Sequence, residues 1–303
     1  MNPPARITFA IPFWRRPAYL HEALASVVAQ RSRAWRCIVM DDGGEPEDDV
    51  APVVAAFADA RITYVRNGVR LGMVGNWNQG IDCAATEFVT LLHADDRLLP
   101  DYCDVVLALA DAHPHAAGLA TGAAIIDATG RPAFSFPDAV KRLLIPAGEP
   151  WLLAGETGLR AIARGDFVMC PTVAWRRERL GARRFDPAWK QVQDLDFLAR
   201  LLLDGDSIVG TRRSVYAYRR HAASATSLQT QDLSRFEEEV AVLDRIAARA
   251  RERGWSDAAR SAERKSIVKL HVGFRATSDL ARGRWSDARR KLAWLLSGRG
   301  ASG

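Results

Sequence analysis

Apolar positions in the first half of the chain fall into short runs separated by stretches with helical spacing. Residues 7–11, 36–40, 62–66 and 87–92 read as strands. Helices are expected between them at about 18–30, 49–57 and 74–84. Pro100 introduces a further helix at 101–112, at a position where its missing N–H does no harm. Strands alternating with helices predict a mainly parallel sheet. Cys37-Ile38-Val39-Met40 and Phe88-Val89-Thr90-Leu91-Leu92 have the near-continuous apolar character of strands covered on both faces.

Beyond residue 112 the spacing changes. Residues 120–126 read as another strand, and Asp127-Ala128-Thr129-Gly130 as a turn before an extended, proline-containing segment to Pro137. A helix is expected at 151–164, a strand at 168–175, a helix at 194–204 and a last strand at 207–218. From about residue 228 the pattern is helical only. Leu233, Phe236, Val240, Leu243, Ala247 and Ala250 form one apolar stripe. Gly254-Trp255-Ser256-Asp257-Ala258-Ala259-Arg260 recurs approximately as Arg284-Trp285-Ser286-Asp287-Ala288-Arg289-Arg290, a pattern similar to helix-hairpin repeats opened by Ser or Asp. The chain thus divides into an α/β unit, 1–225, and a helical extension, 226–303.

Composition narrows the class. Hydrophobic content of 48% and charged content of 26% suit a soluble globular protein. The net charge of +6 sits in the extension, where residues 226–303 carry 16 basic and 10 acidic side chains, while residues 1–225 carry 26 of each. A balanced main body argues against nucleic acid as a partner. Cys37, Cys83, Cys103 and Cys170 form no CxxC pair and read as buried thiols of a reducing compartment. The chain opens on a strand pattern instead of a signal peptide, and no apolar run reaches the roughly 18–20 residues of a membrane span. A cytoplasmic protein is expected.

Asp41-Asp42 and Asp95-Asp96 each follow directly on an apolar run. In an open α/β sheet, ligands sit beyond the carboxyl ends of the strands. Four carboxyl groups at one edge repel one another unless a cation or hydrogen-bond donors compensate. A metal-bound, phosphate-bearing ligand needs such a concentration of charge. Read locally, Asp41 and Asp42 could instead form an Asx turn or cap the next helix, and Asp95 and Asp96 could serve as helix caps before Pro100.

The ordered set Ile11-Pro12-Phe13, Ser26-Val27-Val28-Ala29-Gln30, Asp41-Asp42-Gly43, Gly72 through Asn76-Trp77-Asn78-Gln79-Gly80, and His93-Ala94-Asp95-Asp96 with Leu99-Pro100 resembles glycosyltransferase family 2. Gln193-Asp194-Leu195-Asp196 and Tyr218-Arg219-Arg220-His221 fit the later motifs, so the resemblance covers about the first 225 residues. It implies the GT-A type of α/β fold, a Rossmann-like mixed sheet flanked by helices. It also implies an inverting transfer of sugar from a UDP- or dTDP-linked donor. The acceptor would be a hydroxyl of a carbohydrate or lipid-linked molecule, in cell-surface polysaccharide or glycoconjugate synthesis.

Site residues follow from the same resemblance. Pro12, Asp42, Arg70, Asn76 and Asp95 are the implied donor contacts, with Asp42 on the base or ribose. Mg²⁺ or Mn²⁺ would be held by Asp96, with His221 as a further contact, since these ions favour carboxylates and substrate phosphates. Asp194 is the implied general base, and Asp196 points elsewhere. Asn76 and Asn78 either bond the donor or tie down their loop, and Trp14 and Trp189 either stack on ligand or belong to the core. His93 stands where an acid is commoner, and Gln193 where a Glu is usual. Those departures are the support for an alternative, a catalytically degenerate scaffold acting through its helical tail. Nucleotidyl transfer would need a Gly-rich loop after the first strand, where Pro12-Phe13-Trp14-Arg15-Arg16-Pro17 stands instead.

In the last helix, 284–296, Trp285, Ala288, Leu292 and Leu296 share one face, and Trp294 falls on the charged side. The basic helix either rests on an anionic surface, at the inner face of the plasma membrane, or packs on its repeat neighbour.

Overall fold

The structure, a computed structural model, describes residues 3–43, 49–221 and 233–296. Strands β1 (Ile7–Phe13), β2 (Trp35–Asp41), β3 (Ile62–Arg66) and β4 (Phe88–Leu91) lie parallel in the order β3-β2-β1-β4. They are joined by α1 (Pro17–Val28), α2 (Ala51–Ala55) and α3 (Gly72–Cys83). Successive strand residues point to opposite faces. Phe9, Cys37 and Val39 therefore pack with α1 and α2, while Ala10 and Met40 pack with α3. The inner strands β1 and β4 are covered on both faces and mostly apolar, whereas edge strand β3 buries none of its residues fully.

The second half mixes directions. It comprises β5 (Arg97–Leu98), α4 (Tyr102–Ala112), β6 (Gly118–Ile126), α5 (Phe136–Leu144), β7 (Trp151–Ala154) and α6 (Gly155–Arg164). After these come β8 (Val173–Arg176), α7 (Arg177–Leu180), α8 (Gln193–Leu203) and β9 (Ser207–Arg219). The complete sheet runs β3-β2-β1-β4-β8-β6-β9-β5, with β7 paired to β9. β8 is antiparallel to both of its neighbours.

Several segments depart from expectation, among them residues 168–172, which precede β8 as a single 3-10 turn and its approach instead of forming its first half. Residues 151–164 are a strand followed by a helix, because Trp151 pairs with Gly210 and lies across it. A Cβ on Gly210 would sit 2.0 Å from the indole, so the glycine makes room for the ring. The segment expected to be extended up to Pro137 instead turns into α5, with Pro137 in the first turn where no N–H is needed. The four cysteines are free thiols, and Cys83, unlike the other three, is exposed.

The extension forms α9 (Ser234–Glu252), α10 (Ser256–Arg264), α11 (Ser266–Ala281) and α12 (Trp285–Leu296). The two repeat copies open α10 and α12. Phe236, Leu243, Ala247 and Ala250 join the same core as Trp175 and Phe197 of the α/β unit. The boundary expected at 225/226 lies outside the described residues. α12 is rotated from its expected orientation: Ala288, Lys291 and Trp294 face inward, whereas Trp285, Leu292 and Leu296 are exposed. Lys291 Nζ donates to the buried Asp279 at 2.8 Å, and Arg284 pairs with the same carboxylate. A buried charge demands a partner, and that demand overrides the apolar spacing. Among the described residues no helix is long and apolar enough to cross a membrane.

Candidate active site

β1, β2 and β4 deliver their carboxyl ends to one edge of the sheet. At the end of β2, Asp41 Oδ2 accepts from the Tyr64 hydroxyl at 2.6 Å and Oδ1 accepts from the Gly43 N–H at 3.1 Å. Asp42 is buried beside it. Its Oδ1 accepts from Asn67 Nδ2 at 2.9 Å and from the Leu71 N–H at 2.7 Å, and its Oδ2 accepts from the Gly72 N–H at 2.8 Å. Asp42 thereby caps the N-terminus of α3 with a negative charge where the helix dipole favours one.

Asn76 is equally committed to the framework. Its Nδ2 donates to the Met40 carbonyl at 3.0 Å and its Oδ1 accepts from Asn67 at 3.2 Å. Asn78 exchanges two hydrogen bonds with the Phe185 backbone, so both asparagines tie down α3. Pro12 lies within β1 opposite Met40. Arg70 and Arg15 lie over the Trp14 ring, 4.1 and 4.2 Å from its centroid, and form a basic, aromatic rim beside Asp42's loop. Trp189 is partly buried against the core, with Arg245 over its ring.

Beyond β4, the ligand atoms of His93, Asp95 and Asp96 lie within 4.8 Å of one another. The two aspartates differ sharply. Asp96 is 1% exposed, with Oδ2 accepting from the Tyr216 hydroxyl at 2.8 Å and Oδ1 from the Arg219 N–H at 2.7 Å. Burial, and then the Asp95 charge, raises its pKa well above the usual carboxylate range. The Asp95 side chain is 33% exposed, and its Oδ2 lies 2.9 Å from His221 Nε2. Arg16 reaches His221 Nδ1 at 3.0 Å. A guanidinium only donates, so Nδ1 accepts and the ring proton sits on Nε2, directed at Asp95. Arg16 itself has φ 71°, a left-handed backbone unusual for a non-glycine residue.

Arg219 holds this edge together from beneath. Its buried guanidinium donates to the Asp95 carbonyl at 2.6 Å, the Ala128 carbonyl at 3.1 Å and Glu22 Oε2 at 2.6 Å. Sequence reading took in Arg219 only as part of the Tyr218–His221 motif. Arg16, Tyr64 and Tyr216 carried no signal of their own, because their partners are distant along the chain.

Asp194 occupies the first turn of α8. Burial lowers the His93 pKa, while the Asp95 and Asp194 carboxylates both raise it, so the imidazole stands within electrostatic reach of the two acids. Trp77 of α3 stacks on His93 with centroids 5.3 Å apart, linking the acids to the helix that Asp42 caps. Asp166, missed by sequence reading, has its pKa pushed up to about 7 by burial and then by Asp194. Asp196 turns away, as expected, to Arg200 at 2.9 Å and to Arg245. Asp95, Asp96, His93 and His221 thus gather near one sheet edge, with Asp42 on the α3 side, Arg70 at the rim and Asp194 acting on His93 through its charge.

Comparison with known proteins matches a sequence model described as glycosyl transferase family 2 to residues 8–180. The putative colanic acid biosynthesis glycosyl transferase WcaA of Escherichia coli K12 is 32% identical over 102 residues, 34% of this chain and 37% of that protein. The Campylobacter jejuni GalNAc(5)-diNAcBac-PP-undecaprenol beta-1,3-glucosyltransferase is 36% identical over 97 residues, 31% of each chain. The similarity thus spans about a third of these relatives' length. Among solved structures, Staphylococcus aureus TarS 1-349 in complex with UDP-GlcNAc superposes with TM-score 0.69 at 15% identity, over 97% of this chain and 80% of that one. The Pyrobaculum calidifontis mannosyltransferase PcManGT, in complex with GDP-Man and Mn²⁺, gives 0.63 at 13% identity, over 97% and 81%. These two likenesses establish a common GT-A fold.

Proposed function

The chain belongs to glycosyltransferase family 2, and from that membership we propose that it moves a sugar, with inversion, from a UDP- or dTDP-linked donor to an acceptor hydroxyl. The acceptor is a carbohydrate or lipid-linked molecule in polysaccharide or glycoconjugate synthesis. The observation carrying this reading is that His93, Asp95 and Asp96 present ligand atoms within 4.8 Å of one another beyond β4, with the Asp194 carboxylate of a distant helix acting on His93 through its charge. A degenerate scaffold would have no need to keep them together.

The donor set fits a divalent cation, Mg²⁺ or, given the imidazole, Mn²⁺. Two carboxylates and an imidazole present ligand atoms within 4.8 Å, and His93 Nε2 is a buried atom without a hydrogen-bond partner. Asp95 would hold the ion, with His93 beside it, because Asp96 has both oxygens engaged by protein donors. Bound there, the cation supplies charge compensation for a leaving diphosphate. His221 orients the Asp95 carboxylate through its Nε2 proton, and Arg219 fixes the backbone beneath it. Arg15 and Arg70 offer positive charge to an anionic donor at the rim.

Asp194 takes the proton of the attacking hydroxyl. Asp194→Asn should lower turnover by roughly 10²–10⁴-fold while donor affinity stays within about twofold. Parental turnover in that variant would end the assignment. Titration of nucleoside diphosphates with and without Mn²⁺ separates enzyme from scaffold, since a scaffold shows no metal-dependent binding.

A further inference from the structure

We propose that α5 and α11 form a docking ridge for the surface of an anionic lipid bilayer. α5 is built inside out. The one side chain it buries is Asp138, 4% exposed, which accepts from Arg220 at 2.7 and 3.1 Å. Arg142, one turn further on, donates to the Ala123 carbonyl at 2.7 Å. Asp138, Lys141 and Arg142 line a cavity of about 280 Å³ against β6 and β9, so the polar face of the helix is spent on the interior. Apolar side chains other than Leu144, which packs on the core, are consequently left facing water. Phe136 and Leu143 are exposed on one side of the helix, Leu143 by 84%, and Phe134 just ahead is 82% exposed. A helix whose outer face meets only water has the opposite arrangement.

α11 extends the ridge. Phe274 stacks on Phe136 with centroids 5.7 Å apart. At the other end Leu144 and Ile267 both pack on Gly165, so the two helices run side by side in opposite directions. Leu270, 68% exposed, and Phe274 continue the apolar strip. Contiguous exposed patches of this kind mark interaction surfaces.

Charge selects the occupant. Beside these helices Arg131, Arg264 and Lys269 are exposed, and the acids within α5 and α11, Asp138 and Asp279, are both buried. Cations flanking protruding Phe and Leu side chains match a negatively charged headgroup layer with acyl chains below it. This ridge is distinct from the face of α12 on which Trp285, Leu292 and Leu296 are exposed. This inference goes beyond the transferase reading and does not depend on it.

Co-sedimentation of the full chain with vesicles tests it. Binding should be at least about tenfold stronger when about a third of the lipid is anionic than with phosphatidylcholine alone. The double variant Phe136→Ser, Leu143→Ser, and separately Lys269→Glu, should each weaken binding by about tenfold or more while the melting temperature and helical circular dichroism persist. Equal partitioning onto both vesicles, or variants that bind like the parent, would overturn the proposal. So would concentration-dependent self-association that the double variant abolishes without any vesicle binding, since that outcome assigns the ridge to a second copy. The assay needs neither donor nor acceptor, so its failure leaves the transferase reading standing.

Discussion

Replacing Asp95 and Asp96 one at a time separates the work of two adjacent carboxylates. Asp96→Ala strands the Tyr216 hydroxyl and the Arg219 N–H, which lie 2.8 and 2.7 Å from the carboxylate oxygens in a site 1% exposed. Each buried donor left unmet costs about 1–3 kcal/mol. Removing a carboxyl group that burial already disfavours offsets part of that, leaving a net loss of about 2–3 kcal/mol. In a chain of this size the melting temperature should then fall by about 3–5 °C. Asp96→Asn should cost less than about 1 kcal/mol, because its carbonyl accepts from Arg219 and its amide donates to the Tyr216 oxygen, which is both donor and acceptor. Asp95→Asn loses only the His221 contact at a partly exposed site, yet it removes a charged ligand. Its Mn²⁺ affinity should drop by at least about tenfold at nearly unchanged stability. Scanning calorimetry and isothermal titration of Mn²⁺ with a nucleoside diphosphate measure both quantities. If Asp96→Asn abolished Mn²⁺ binding and Asp95→Asn kept it, the division of labour argued from burial would be wrong.

Two buried groups set opposing pH dependences. Burial and then Asp194 raise Asp166 from 3.8 to about 7, so the folded chain keeps a proton that the unfolded chain releases. Stability therefore falls as pH rises between those values and levels off above. Asp166→Asn should raise stability at about pH 8 by a few kcal/mol, and an unchanged melting temperature there would refute the assignment. Burial, followed by the charges of Arg235, Arg275 and Lys141, lowers His271 from 6.5 to about 4, so the unfolded chain binds a proton that the folded one refuses. Its contribution is lost as pH falls through that window, and His271→Gln should flatten the acid limb of a series of thermal melts. Gly210→Ala places a methyl 2.0 Å from the Trp151 ring. It should destabilise by about 1–3 kcal/mol in denaturant titrations, with Trp151→Leu in the same chain recovering part of the loss.

The parallel half of the sheet was legible along the chain because its inner strands are covered on both faces and the strand ends are punctuated by acids and glycines. The helical tail was legible through its stripe of Phe236, Leu243, Ala247 and Ala250. β7 escaped because its pairing depends on Gly210, a partner in another strand. α12 came out rotated because Asp279, on α11, claims Lys291. The candidate site divides in the same way. That Asp42, Asp95, Asp96 and Asp194 stand at element ends is a local property of the sequence.

Which carboxylate is free is not local. Asp96 is engaged by Tyr216, 120 residues away, and Asp42 by the first turn of α3, whereas Asp95 keeps an open side. Hydrophobic period and turn chemistry act between near neighbours, so the residues alone determined the order of strands and helices and the positions of the acids. Burial and hydrogen-bond donors come from whatever the fold packs together, and only the tertiary structure decided which acids are framework and which keep an open side.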